Sequence, residues 1–121
     1  MVRGYSYTEK KTVYGYLFVA EDNRGNTQTQ ILKPDKLIGL QKMYAIEPTS
    51  VERYVNYDTA DGKPIYENDM LEGRMQLTNG DTEKVTGWAT ISKGMACIRT
   101  KDGRTPLLFI DDLKIIKGDR Q

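Results

Sequence analysis

From Asp69 to Lys117 the chain alternates short runs of strand-forming residues with glycine-bearing turns, and that rhythm constrains the fold more than any other feature. Asp69–Leu77 runs into TNGD, where Asn79-Gly80 is the favoured pair for a two-residue type I′ hairpin. In Thr82–Ile91, Val85, Gly87, Ala89 and Ile91 point one way and Lys84, Thr86, Trp88 and Thr90 the other. Ser92-Lys93-Gly94 turns the chain into Met95–Thr100, Asp102-Gly103 turns it into Thr105–Ile110, and Leu113–Lys117 ends the series. Five short strands joined in this way predict a small SH3-like or OB-like barrel, a form that hides its strand edges.

The N-terminal part is also strand-like. Thr12–Ala20 places Tyr14, Tyr16 and Phe18 on one face and Val13, Gly15, Leu17 and Val19 on the other. The DNRGN turn leads to Thr27–Leu32 and predicts a β-hairpin in which Gly25 and Asn26 supply positive φ. Pro34–Lys42 has room for a short helical turn weakened by Gly39, and Met43–Ile46 is a short strand stopped by Pro48. The expected class is mainly β (β-rich α+β), with one domain over 1–121. Its subregions are an N-terminal hairpin region (1–47), a turn-rich segment (48–71) and the barrel-like meander (72–121).

Composition narrows the chemistry. The 121 residues contain no histidine, which removes Ser-His-Asp and Cys-His catalysis and every histidine-bearing zinc site. One cysteine, Cys97, makes neither an internal disulfide nor a four-cysteine metal site, and MACIRT reads it as a buried small hydrophobe. No cofactor or metal is expected, and the chain is read as not an enzyme. Net charge is +1, without a global case for nucleic acid or membrane. That charge is unevenly placed, at +3 over 1–46, −5 over 47–81 and +3 over 82–121. No apolar run is long enough to span a bilayer, and MVRGYSYTEKK lacks the apolar core of a signal peptide, so a cytoplasmic location is expected.

The acidic middle is the most informative stretch. Pro48-Thr49-Ser50-Val51-Glu52-Arg53-Tyr54 leads to Asp61-Gly62-Lys63-Pro64-Ile65-Tyr66-Glu67-Asn68-Asp69-Met70-Leu71. Asp61, Glu67 and Asp69 lie close enough for a divalent-metal or acid–base cluster, but their spacing fits no EF-hand loop. Turn-forming Asp and Asn bonded to their own backbone explain them better. In this reading Tyr54, Ile65 and Tyr66 are apolar anchors, Gly62 and Asn68 form turns, and the Asp69 carboxylate caps backbone.

The segment resembles the signature of the YopX family, small proteins carried by bacteriophages and prophages of Gram-positive bacteria. Its pattern runs roughly P-x-T-V-G-Q-Y-T-G-L-x-D-x-N-G-K-x-I-Y-E-G-D-I-V. Pro48, Val51, Tyr54, Gly62, Lys63, Ile65, Tyr66, Glu67 and Asp69 match it, with Met70-Leu71 as the apolar pair and Ser50 in place of threonine. Upstream, Val13-Tyr14-Gly15-Tyr16-Leu17 is similar to the family's W-V-Y-G-Y-L strand, with Thr12 at the tryptophan position. Family glycines fall on Asn56 and Asn68, where asparagine tolerates a left-handed backbone, and on Glu52, which does not. The family's closing G-N-I-Y-E-N-P segment has no counterpart in KIIKGDRQ. The resemblance implies a phage accessory protein of the bacterial cytoplasm, and implies no enzymatic activity.

Three functional classes follow. A protein-binding accessory factor, acting on a host or phage protein, for example as an inhibitor of a host process or defence system, would use Tyr5, Tyr7, Tyr14 and Tyr16, which alternate near the N-terminus. The same tyrosines equally suit packing between subregions or subunits, so a homo-oligomer stays open. A nucleic-acid-binding barrel would use Lys84, Trp88, Lys93, Arg99, Lys101 and Arg104. A phage hydrolase would rest on Asp61, Glu67 or Asp69, without histidine or a phosphate loop to support it.

Overall fold

A computed structural model of the chain describes residues 1–34 and 41–117. It is almost wholly antiparallel β-structure and forms two compact units, with the boundary between Arg53 and Tyr54. That boundary falls inside the 48–71 segment and divides its residues between the units. Among the described residues no helix is long and apolar enough to cross a membrane.

The N-terminal unit contains β1 (Val2–Ser6), β2 (Lys11–Glu21), β3 (Thr27–Pro34), β4 (Gln41–Ala45) and a 3-10 turn at Pro48–Ser50. The strands lie in the order β4-β3-β2-β1, and Glu52 and Arg53 at the start of β5 (Glu52–Asp58) pair with Arg3 and Val2 of β1. Pairing of Leu17 with Ile31, and of Ile31 with Tyr44, puts the β-branched positions on one face. There Val2, Val13, Ile31 and Ile46 form the core, with Tyr44 and Val51 packed on it. The helical turn expected within Pro34–Lys42 lies outside the described residues except at its ends, which belong to β3 and β4.

The C-terminal unit begins with the rest of β5, paired to β6 (Pro64–Tyr66). It continues through β7 (Met70–Gln76), β8 (Thr82–Ser92), β9 (Met95–Thr100), β10 (Gly103–Pro106), a 3-10 turn at Leu107–Phe109 and β11 (Ile110–Lys117). Four meandering strands and a fifth that returns to the first produce the order β10-β9-β8-β7-β11. An OB-like arrangement needs a Greek-key connection, which this meander lacks. The ladders run from β10 to β11, and none joins those two edges among the described residues. The inward-facing Leu71, Ala89, Ile98, Ile110 and Leu113 form one core with Val55, Ile65 and Leu107.

Three expectations are corrected by backbone geometry. Asn79-Gly80 does not form a type I′ turn, because that turn needs positive φ at both central residues and only Gly80 has it, at 91°. Instead the Gly80 amide donates to the Leu77 carbonyl and the Leu77 amide to the Asp81 carbonyl, a three-residue loop closed by a left-handed glycine. Asp22–Asn26 and Thr59–Lys63 close in the same way around Gly25 and Gly62, so Asn26 supplies no positive φ. The type I′ geometry falls on Lys93-Gly94, with φ of 52° and 77°.

The third correction concerns Thr105–Ile110, expected as one strand. Leu107 and Ile110 are both buried while Leu108 and Phe109 are exposed, a period of three that a strand cannot satisfy. A 3-10 turn stacks residues i and i+3, and Pro106 before it cannot donate to a ladder. Asn56 and Asn68 do take positive φ, 62° and 69°. Glu52 stays in a strand, where its carboxylate accepts a 2.9 Å bond from Arg3 Nε.

Candidate functional site

The signature residues of the C-terminal unit are absorbed by its architecture. Ile65 and Tyr66 are buried, and the Tyr66 ring packs against Tyr54 with centroids 5.8 Å apart. The Asp69 carboxylate, 1% exposed, accepts the Tyr66 amide at 2.9 Å. The backbone amide of Asn68 donates to the Ala89 carbonyl, and the Ala89 amide donates to the Asp69 carbonyl. This turn is thereby sewn to β8. Gly62 supplies the left-handed residue of its loop, at φ 89°, and Glu67 is half-buried beside Tyr66 in sequence.

The acidic residues work locally. The Thr59 hydroxyl donates to Asp61 and holds its carboxyl below the usual range, with Lys63 3.9 Å away. The Tyr54 hydroxyl donates to Asp58, which pushes the phenol above its ordinary value. Among the described residues no three Cys, Asp or Glu side chains gather as metal ligands would. Cys97 is buried.

Two surfaces carry the remaining candidate side chains. The first is the outward face of the N-terminal sheet. Strand pairing opposes Tyr14 to Arg3, Tyr5 to Thr12, Tyr16 to Leu32 and Leu32 to Met43, so these residues share one face. Tyr14, Tyr16, Phe18 and Met43 on it are 47%, 57%, 50% and 46% exposed. Of the four expected tyrosines, Tyr5, Tyr14 and Tyr16 are brought together. Tyr7 lies beyond the end of β1 and meets the group only through an edge-on contact with Tyr5, centroids 5.2 Å apart.

Sequence reasoning placed Phe18 on the tyrosine face but left it out of the site, and it missed Met43. The alternation of β2 carried the signal for Phe18, whereas Met43 joins only through the β3–β4 register. On the opposite face Val13 and Gly15 are buried, but Leu17 and Val19 further along β2 are again exposed.

The second surface is the outward face of the C-terminal sheet. Met70 on β7, Trp88 on β8, Arg99 on β9 and Arg104 on β10 form one row across four strands. An open groove of about 710 Å³ is lined by Lys84, Trp88, Arg99, Lys101 and Arg104, and also by Glu83 and Asp102. A second groove of about 570 Å³ shares Arg99, Lys101 and Arg104 and adds Lys93 from the β8–β9 turn. The structure therefore gathers all six residues expected for the nucleic-acid reading.

They are not equivalent. Lys84 Nζ lies 2.9 Å from Glu72, whose other oxygen is 3.5 Å from Lys114. The hydrogen bond from Lys84 leads in holding the Glu72 carboxyl below its ordinary value. Lys93, Arg99, Lys101 and Arg104 have no carboxylate within ion-pair distance among the described residues. No family model, curated protein or solved structure matches this chain.

Proposed function

We propose that this chain is a non-catalytic binding protein whose partner is another protein, docked on the aromatic face of β2. The observation that carries the reading is the half-exposure of Tyr14, Tyr16, Phe18 and Met43 on one sheet face. An aromatic side chain offers roughly 200 Å² when fully exposed, so half-exposed rings leave about 100 Å² each. Four such side chains amount to about 400 Å², within the size range of the largest, often functional, apolar patch on a monomer. A standard interface takes about 800 Å² from each partner, so this patch would supply the anchoring half and a polar rim the rest. Tyrosine and phenylalanine suit anchoring because each brings a large area with few rotatable bonds. The resemblance to the YopX family supports placing the partner among host or phage proteins in a bacterial cytoplasm, with inhibition of a host process as the consequence of occupying its surface.

The test is a pair of pull-downs from nuclease-treated host lysate, with the native protein and a Tyr16→Glu/Phe18→Glu variant. Both positions are exposed, so the variant should keep its melting temperature. A stoichiometric protein captured by the first and lost by the second supports the reading. A captured protein unaffected by the substitutions overturns the assigned face. Sedimentation showing that the native chain dimerises and the variant does not would assign the patch to self-association instead.

A further inference from the structure

The cationic grooves of the C-terminal sheet play no part in that reading. The exposed Arg99 and Arg104 side chains stand opposite each other on β9 and β10, on the face that carries Trp88. Lys93 and Lys101 project from the turns on either side of β9. None of these four cations is neutralised by an ion pair among the described residues, while the nearby Glu72 already has two lysines. Glu83 and Asp102 also line the main groove, but Lys84, Arg99, Lys101 and Arg104 outnumber them, and a groove with cations in excess favours a polyanion. Trp88 narrows the class. It is half-buried, in the same cross-strand row as the two arginines, and adjacent strands lie roughly 4.8 Å apart. An indole face beside two guanidinium groups can stack on an unpaired base while the arginines take the neighbouring phosphates. A duplex keeps its bases stacked on one another and would not use the indole. An acidic peptide would use the cations alone.

We propose that the outward face of β8, β9 and β10 is a binding site for single-stranded nucleic acid, with Trp88 as the stacking platform and Lys93, Arg99, Lys101 and Arg104 as the phosphate contacts. Stacking and phosphate contacts do not read base edges, so binding through them is sequence-tolerant. Three to four phosphate contacts give a slope of log K against log salt of about −2 to −3. Affinity then falls about 15- to 50-fold between roughly 50 and 200 mM salt.

Trp88 is the single tryptophan of the chain, so its emission reports this site directly. The experiment titrates the full chain with oligo-dT of about 12 nucleotides. Quenching that weakens about 15- to 50-fold across that salt range supports the proposal. The Arg99→Glu/Arg104→Glu variant alters only exposed side chains and should bind at least about 10-fold more weakly with an unchanged urea midpoint. Trp88→Ala, followed by anisotropy of a labelled oligonucleotide, should lose roughly 5- to 150-fold of the affinity.

No quenching up to about 100 µM oligonucleotide, the range of non-specific binding, overturns the proposal. Binding indifferent to the charge reversals overturns it as well. Equal binding of the matching duplex removes the stacking role, and equal competition by a poly-glutamate peptide reassigns the face to acidic proteins; either result overturns the proposal. The Tyr16→Glu/Phe18→Glu variant should bind the oligonucleotide as the native chain does, which separates this site from the aromatic face.

Discussion

Replacing Tyr66 by alanine is the sharpest test of how the C-terminal unit is held together. The ring is 3% exposed and packs against Tyr54, while the residue's backbone amide is held by Asp69. A buried tyrosine removes about 200 Å² from water, worth roughly 5 kcal/mol at about 25 cal/mol per Å². Because a denatured chain already hides part of that area, the figure falls to about 3–4 kcal/mol, within the range for truncating a core aromatic. With a urea dependence of about 1.5 kcal/mol per molar, the unfolding midpoint should drop by about 2 M. Trp88 lies in the same unit, so its emission follows the transition. Tyr66→Phe keeps the buried ring and should shift the midpoint by less than about 0.5 M. A midpoint shift below about 0.5 M for Tyr66→Ala, or equal shifts for both variants, would show that ring burial is not what Tyr66 contributes.

Glu52→Ala removes the carboxylate that the buried Arg3 donates to and should cost about 3 kcal/mol by thermal melting followed in the far ultraviolet. The double variant Arg3→Met/Glu52→Leu should melt higher than Glu52→Ala, and a lower melting point would contradict an ion pair whose loss strands a charge. Asn68→Val forces a β-branched residue to φ near 69° and should cost about 2 kcal/mol in urea unfolding, more than Asn68→Gly, which accepts that φ. The Glu72 carboxyl is held below its ordinary value of 4.5, first by the hydrogen bond from Lys84 and then by Lys114, so the folded state binds this proton less readily than the unfolded one. Its contribution is full above that ordinary value and is lost as pH falls through the lower folded value. Urea midpoints measured from about pH 6 down to about pH 3 should fall less steeply for Glu72→Gln than for the native chain.

The strands most legible in the sequence are those with one face buried and one solvated. Val85, Gly87, Ala89 and Ile91 alternate with Lys84, Thr86, Trp88 and Thr90, and β8 follows that pattern to within a residue. β9 matches its expected limits, Met95–Thr100. β1 was missed because Val2–Ser6 mixes arginine, glycine and serine among its buried positions, and the Arg3–Glu52 pair that explains one of them joins residues 49 apart. β5 and β6 show in sequence only as a turn and apolar anchors, since their pairing is interrupted near the left-handed Asn56 and leaves no clean alternation. The 3-10 turn after β10 needed knowledge that Leu107 and Ile110 enter the same core.

The candidate sites divide along the same line. That Tyr14, Tyr16 and Phe18 share a face follows from the two-residue period of a strand and was readable directly. Their exposure was not readable, because alternation assigns faces without saying which one is covered. For Tyr14 the placement of Val2, Val13, Ile31 and Ile46 against the opposite face decides it, while Phe18 lies where β2 is exposed on both faces. Likewise, Lys84 and Trp88 were assigned one face by local alternation, but Glu72 and Lys114 reach Lys84 through the pairing of β7 with β8 and β11. Arg99 and Arg104 come to stand in line with Trp88 only when the β8–β9–β10 register is set. Period, turn chemistry and the absence of histidine are local properties, so the chain alone determined a β-rich fold and excluded histidine-dependent catalysis. Register and burial depend on residues far apart in sequence, so only the tertiary structure decided which aromatics stay exposed and which cations stay unpaired.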